Sequence, residues 1–412
     1  MPDVVRRLLW ALAWIAILAV AAGTIFLGLI AILSAISEST LQKQIAAIRA
    51  AGDPTSLAEL RNRSIPPEED AGEFLYRARK GLLAIIEALD KVPESETYQQ
   101  GRPTESEVKA IQAALEAHAE AVTLLEQATA RDDYVPRGDH EASRAAIRAL
   151  QARILMLLSQ GRRDEALGDC VAMFRLARLL EKKPTVAGYL VALACRGLAV
   201  ESANLVLRSG PVSPDARQSL DAELARQEGV EGYESMLKTA RADGLQRIRG
   251  RPADGWLGKA RRSQEASAYL EDFEESLSRA SGTNSESKRA ESALSLSPAA
   301  RNWLPTMRAT RDAMERTRAQ VRCLRVLNAL QQAAEQGGPD EPDLADLGLP
   351  ADAVLDPFTG DRLRVKKLPE GWLIYSVGTN KKDDGGQIDP FRDFGVGPLA
   401  PSAQETETEK AD

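Results

Sequence analysis

The chain opens on its strongest pattern: residues 8–33 run for 26 positions without a charge, directly behind Arg6 and Arg7. At 1.5 Å per residue such a helix reaches ~39 Å, against ~30 Å of bilayer hydrocarbon. The pattern predicts that residues 1–34 form a short cytoplasmic stub and a transmembrane anchor, in contact with the lipid bilayer through residues 8–33. A cleaved signal peptide is the rival reading, with Ala19-Val20-Ala21 as its small-residue cleavage site. The apolar run nevertheless continues through Ile25, Phe26, Leu27, Leu29 and Ile30, well past the roughly 7–15 residues of a signal core. Arginines precede the run and Glu38 is the first charge after it. The positive-inside rule then keeps the N-terminus cytoplasmic and exports residues 35–412 from a cell inner membrane, as a single-pass protein.

Helical periodicity dominates the rest of the chain. Phe74, Ala78, Leu82, Ile85, Ile86 and Leu89 recur at three-to-four spacing behind Pro66-Pro67-Glu68-Glu69-Asp70, a helix-start signal. Val108, Ile111, Leu115, Val122 and Leu125 predict one helix from Pro103-Thr104 to about Arg131. Ile147 to Leu157, Leu167 to Ala177, and a run from Thr185 to Leu207 predict three more, with Ser213-Pro214 opening another. The run at Tyr189 to Ala194 is interrupted by Arg196 and Glu201, so this helix reads as buried core and not as a second span. The fold class is therefore mainly α: an N-terminal transmembrane helix, an exported antiparallel helical bundle over residues 35–245, and a small C-terminal β-hairpin module. Residues 246–300, rich in Ser, Glu, Arg and Ala, read as a mobile charged linker with a helix at 261–280. A long helix starting at Pro298 or Pro305 leads into the β-hairpin module, giving a 301–397 segment, and 398–412 is a disordered acidic tail.

Within the module, Asp356-Pro357-Phe358-Thr359-Gly360 is a turn cluster. Arg362-Leu363-Arg364-Val365 and Trp372-Leu373-Ile374-Tyr375-Ser376-Val377 read as strands joined at Pro369-Glu370-Gly371. The loop Gly378-Thr379-Asn380-Lys381-Lys382-Asp383-Asp384-Gly385-Gly386 comes next, and then Asp389.

These residues carry three resemblances. Gln160-Gly161-Arg162-Arg163-Asp164-Glu165-Ala166-Leu167 is similar to the turn of a tetratricopeptide repeat, implying one repeat-like helical hairpin; no 34-residue recurrence accompanies it. Residues 318–389 resemble the C-terminal half of type II secretion major pseudopilins, whose loop binds calcium. That resemblance implies calcium ligands at Asn380, Asp383, Asp384 and Asp389. Asn380 stands where an aspartate is usual, and residues 8–33 lack the glutamate of a prepilin leader, so the chain is not itself a pseudopilin. The whole arrangement resembles planctomycete-type anchored membrane proteins that pair a Leu-Ala-Arg-Leu-Leu segment, 176–180 here, with a Tyr-Ser-Val-Gly…Asp-Asp-Gly-Gly ending, 375–386 here. That family carries no assigned activity.

Composition narrows the function. The net charge of −7 argues against nucleic acid, which selects basic surfaces. Three cysteines, Cys170, Cys195 and Cys323, are no disulfide framework; they read as buried thiols, with a Cys170–Cys195 bridge as the alternative. His118 falls on an apolar helix seam, and His140 at a helix start. The acids at Glu68-Glu69-Asp70 and Asp132-Asp133 lie at helix ends, where they complement the dipole. Trp256 and Trp303 are isolated and read as packing anchors. No metalloprotease, nucleophile-elbow or phosphate-loop motif is present, and the expectation is a non-enzymatic envelope interaction or scaffold protein with protein partners. An accessory role in a secretion or pilus-type assembly is the alternative, and a hydrolase of dispersed acids a third reading.

Overall fold

The computed structural model describes residues 2–60, 65–92, 95, 98, 100–137, 140–182, 185–280, 298–339, 343–389 and 391–398. The chain divides into two compact units, residues 1–62 with 237–307 and residues 63–236 with 308–412. The fold is mainly helical with a small antiparallel sheet, as the periodicity predicts.

The first unit is built on α1 (Pro2–Ala50), one unbroken helix with two characters. Its N-terminal part leaves Trp10, Ile25 and Phe26 62, 74 and 62 % exposed. Further on, Leu41, Ile45 and Ile48, spaced one helical turn apart, are buried. A short helix, α2 (Leu57–Leu60), comes after it. The unit also holds the end of α10 (Glu231–Gly250) and all of α11 (Gly255–Ala280). On α11, Ala266, Leu270 and Phe273 are buried, and α11 packs along α1. Polar ties lock the pair: Ser263 donates to Glu38, Ser267 Oγ donates to Gln44 Oε1 at 2.8 Å, and Gln44 Nε2 donates to Glu271 at 3.3 Å. The buried Arg241 bridges Asp53, at 2.9 Å, and Glu274. Within the segment read as a linker, α10 and α11 therefore carry residues up to 280, and residues 281–297 lie outside the described residues. Residues 399–412, most of the segment read as a disordered tail, lie outside them too, as does the side chain of Trp303. Trp256 is 42 % exposed on the first turn of α11, and is not a packing anchor.

The second unit comprises α3 (Ala71–Leu89), α4 (Glu105–Ala117), α5 (Ala119–Thr129), α6 (Glu141–Ser159), α7 (Arg163–Glu181), α8 (Val186–Arg208) and α9 (Pro214–Arg226). The later part of α12 (Pro298–Glu335) and the C-terminal sheet complete it. At its centre, α7 places Leu167, Cys170, Met173, Phe174, Leu176, Leu179 and Leu180 out of solvent, enclosed by α6, α8 and α9. The cysteines are all buried and unbridged. Local chemistry sets the starts. Asp70 caps α3, Thr185 caps α8, and Ser213 caps α9 with Pro214 in its first turn. Thr104 and Glu107 close a reciprocal capping box on α4.

One expected helix is two. The segment after Thr104 breaks at His118 (φ −127°, ψ 35°), so His118 is a half-buried junction and not a seam residue. The cause lies across the interface: a Cβ on Gly81 of α3 would stand 2.5 Å from that of Ala121. The break re-aims α5 so that the two backbones meet at this glycine.

Two substitutions test this packing and capping. Phe174→Ala, opening a void at a fully buried position of α7, lowers unfolding free energy by about 3–5 kcal/mol in urea titration of the full chain. Burial works to raise the Glu107 carboxyl, but the amides and hydroxyls of Ser95 and Thr104 hold it at about 2, below its ordinary 4.5. Its contribution is therefore complete above pH 4.5 and lost as pH falls toward about 2. In Glu107→Gln that acid-side slope of the thermal midpoint flattens.

Candidate functional site

The C-terminal sheet orders β1 (Arg364–Leu368), β2 (Gly371–Ser376) and β3 (Phe394–Val396) as β1-β2-β3, all antiparallel. Arg364 faces Tyr375, Leu368 faces Gly371, and Ser376 faces Phe394. The first strand lies two residues later than its alternation predicts, because Arg362 instead bridges Leu355 at the turn. The third strand has only three residues, too few for an alternation to be read. Gly397 closes it at φ 122°, where a Cβ would stand 2.2 Å from the Trp372 carbonyl oxygen.

Two buried carboxylates hold the loops of this module. Asp356 accepts from the amides of Phe358 and Val377 and from Ser376 Oγ, each at 2.9 Å. Asp393, with 0 % exposure, accepts from the Gly386 amide at 2.7 Å and the Asp384 amide at 3.4 Å. Burial raises the Asp393 carboxyl above the usual carboxylate range against those two amides, and the nearby charges of Asp383 and Asp384 raise it further. Neither residue stands out in the sequence as a site. The turn motif marks Asp356 as a turn opener, but only folding brings Val377 to it.

The residues implied as calcium ligands are distributed along this loop. Asn380 and Asp384 meet, Nδ2 donating to Oδ2 at 2.8 Å, while Asn380 Oδ1 accepts from the Lys382 amide at 2.9 Å. Asp383 accepts from the Gly385 amide at 2.9 Å and from the Tyr375 hydroxyl at 3.1 Å. The Gly385 amide, opposed by desolvation and helped by Tyr375, Lys366 and Arg364, lowers its carboxyl. Asp389 lies apart, capping the Phe391 amide at 2.7 Å and pairing with Arg392 at 3.3 Å. Each oxygen set is thus turned toward a protein donor. Among the described residues, no three His, Cys, Asp or Glu side chains converge on a point that could hold a metal. The four side chains implied as ligands are therefore not gathered around one point in this arrangement.

The other candidates are structural ties. Asp70 also accepts from the Val135 amide at 2.8 Å and pairs with Arg137 at 2.9 Å. Asp132 and Asp133 pair with Arg178 and Lys182 at 3.2 and 3.4 Å. A cleft of about 270 Å³ between α3, α4 and α6 is lined by Leu89, Tyr98, Ile111 and Leu155, and its two charged residues are both engaged. Glu107 serves the capping box, and Arg148 pairs with Asp90 at 2.5 Å. What the module offers outward is a rigid polar loop carrying Phe391, 83 % exposed. Comparison of the chain with protein-family models, curated proteins and solved structures found no match.

Two predictions attach to this module. Asp356→Ala strands the buried Val377 amide and Ser376 hydroxyl, and lowers stability by about 2–4 kcal/mol, at roughly 1–3 kcal/mol per buried donor left unpaired. With the four side chains spread along the loop and each held by protein donors, millimolar calcium leaves the thermal midpoint of the full chain unchanged; a calcium-dependent rise would show the loop re-forming around the ion.

Proposed function

We propose that this is a single-pass, membrane-anchored cell-envelope protein whose exported helical bundle and distal β-module act as an interaction scaffold. One observation carries the anchoring: α1 is continuous from a fully exposed apolar stretch, of mean hydropathy 2.5, into a buried, side-chain-locked stretch at Leu41, Ile45 and Ile48. A helix that is apolar all round and covered by no protein needs another apolar medium, and a bilayer supplies it. A second helix, Val186–Arg208, is also long and apolar enough to cross a membrane, but half of its most apolar stretch is buried and it reads as core. Under this reading the N-terminus is cytoplasmic, residues 35–412 are exported, and the membrane is the inner one.

The interaction role draws on the distal loop. Phe391 stands exposed beside a loop fixed by Asp389 and Asp393, and an exposed aromatic on an ordered loop is a favoured anchor for a protein partner. Native-membrane solubilisation with a tagged chain tests both parts. The protein resists alkaline carbonate extraction, keeps Arg6 and Arg7, and in inside-out vesicles its residues 35–412 are shielded from added protease. A soluble product beginning near Ala21 would sink the anchor. Partners that co-purify with wild type and are lost from Phe391→Ser support the scaffold, and secretion or pilus components among them would make it part of such an assembly.

A further inference from the structure

The α10–α11 corner of the first unit lies at a defined height along the apolar helix. The ties Glu38–Ser263, Gln44–Ser267 and Gln44–Glu271 have sequence offsets of 225, 223 and 227, rising together along both helices. Thus α11 runs parallel to α1 with an offset near 225, and Trp256 and Leu257 stand level with Ala31 and Ile32. The burial pattern of α1 agrees independently. Its covered stripe begins at Ile30, Ser34 and Ser37, all half-buried, and deepens to Leu41, Ile45 and Ile48.

That height is the far edge of the apolar run. From Trp10 to the level of Trp256 is 21 residues of helix, ~32 Å at 1.5 Å each, against ~30 Å of hydrocarbon. Trp256 and Leu257 are 42 and 54 % exposed, although nothing in their own unit requires apolar surface there. Just beyond them in height stands a basic group. Lys259 and Arg261 are exposed on α11, and Arg249, at the antiparallel end of α10, and Arg262 lie near Glu38, whose carboxyl they help to lower after the Ser263 and Gln42 hydrogen bonds. Asp254 is the one acid in residues 247–262. Sequence distance hides this cluster from the anchor, since more than two hundred residues separate them.

The geometry points to a second membrane contact: the α10–α11 corner seats Trp256 and Leu257 at the hydrocarbon edge and sets Arg249, Lys259, Arg261 and Arg262 against anionic phospholipid headgroups. Tryptophan favours the interfacial layer, and basic side chains beyond it meet phosphate, so the occupant is the bilayer that α1 itself crosses. This rests on the anchoring reading of α1. It adds that the first unit stands on the bilayer at two points, so that the unit is held at a fixed height and tilt and does not swing from a single helix.

The native cysteines are all buried, so an introduced cysteine can be labelled selectively. In the full chain, Leu257→Cys and, separately, Gly28→Cys carry an environment-sensitive nitrobenzoxadiazole probe. Each is reconstituted in vesicles of phosphatidylcholine with or without phosphatidylglycerol, and quenched by shallow spin-labelled lipid or aqueous iodide. The expected result is lipid quenching at both positions, with quenching at 257 stronger when phosphatidylglycerol is present. Lys259→Glu with Arg261→Glu then weakens the seating at 257 by at least roughly fivefold per charge, leaving position 28 unmoved. A probe at 257 that stays aqueous while position 28 is lipid-quenched overturns this inference and leaves the anchor intact. Aqueous behaviour at both positions overturns the anchor as well. Seating at 257 that ignores both phosphatidylglycerol and the charge reversals overturns the anionic-headgroup contact.

Discussion

The second unit depends on the near-complete burial of one helix. Because α7 carries apolar side chains around most of its circumference, leaving a stripe of Asp164, Gly168 and Arg175 toward solvent, α6, α8 and α9 must close around the rest. A half-covered α7 would leave several large side chains in water, at roughly 1.5–3 kcal/mol each. That penalty explains the close helix approaches nearby. Gly81 is one such place, where the main chain of α3 comes too near α5 for any larger residue, and the helix before α5 yields by breaking at His118.

The unit also holds long basic side chains out of water, and each has partners. Arg196 reaches Glu181 and, at 2.7 Å, Gln227, whose amide in turn donates to the Phe174 carbonyl at 3.0 Å. Arg217 donates to Asn328 at 3.1 Å and Glu335 at 2.6 Å; Arg322 and Arg325 share Glu228. A buried ion pair adds little net stability against a packed apolar alternative, yet losing one partner is costly. These pairs therefore fix which helices may neighbour one another. The sheet is attached in the same manner. Asn204 on α8 accepts from the Gly397 amide at 3.0 Å and donates to its carbonyl at 3.3 Å, while Arg322 donates to the Leu355 carbonyl at 2.7 Å. The β-module is thus an integral wall of the helical body, and its loop inherits that rigidity.

The first unit answers a different constraint. On α1 the apolar stripe widens, toward the N-terminus, from one face to the entire circumference, and α11 covers only the narrow part. The proposed membrane contact and the folded contact are then consecutive stretches of one rigid helix, without a flexible joint between them. In such an arrangement the position of the α10–α11 corner is dictated by helix register, to within about a turn.

What the sequence determined by itself was whatever rests on local chemistry. Apolar spacing gave the existence and order of the helices, and capping residues such as Ser213 with Pro214 or Thr104 with Glu107 gave their starts. The 26-residue uncharged run gave α1, and the turn residues gave the hairpin. Tertiary structure decided what depends on residues distant in the chain. The break at His118 answers to Gly81, the three-residue β3 exists because Ile374 and Ser376 offer it an edge, and α11 forms from a charge-rich stretch because Leu41, Ile45 and Ile48 need cover. The loop residues were legible as a polar cluster. Which donors their carboxylates would face was not, because Tyr375 reaches Asp383, and the Gly386 amide reaches Asp393, only once the sheet has paired. Local signals fix where an element begins and ends; burial, which couples every part of the chain to every other, fixes what each side chain meets.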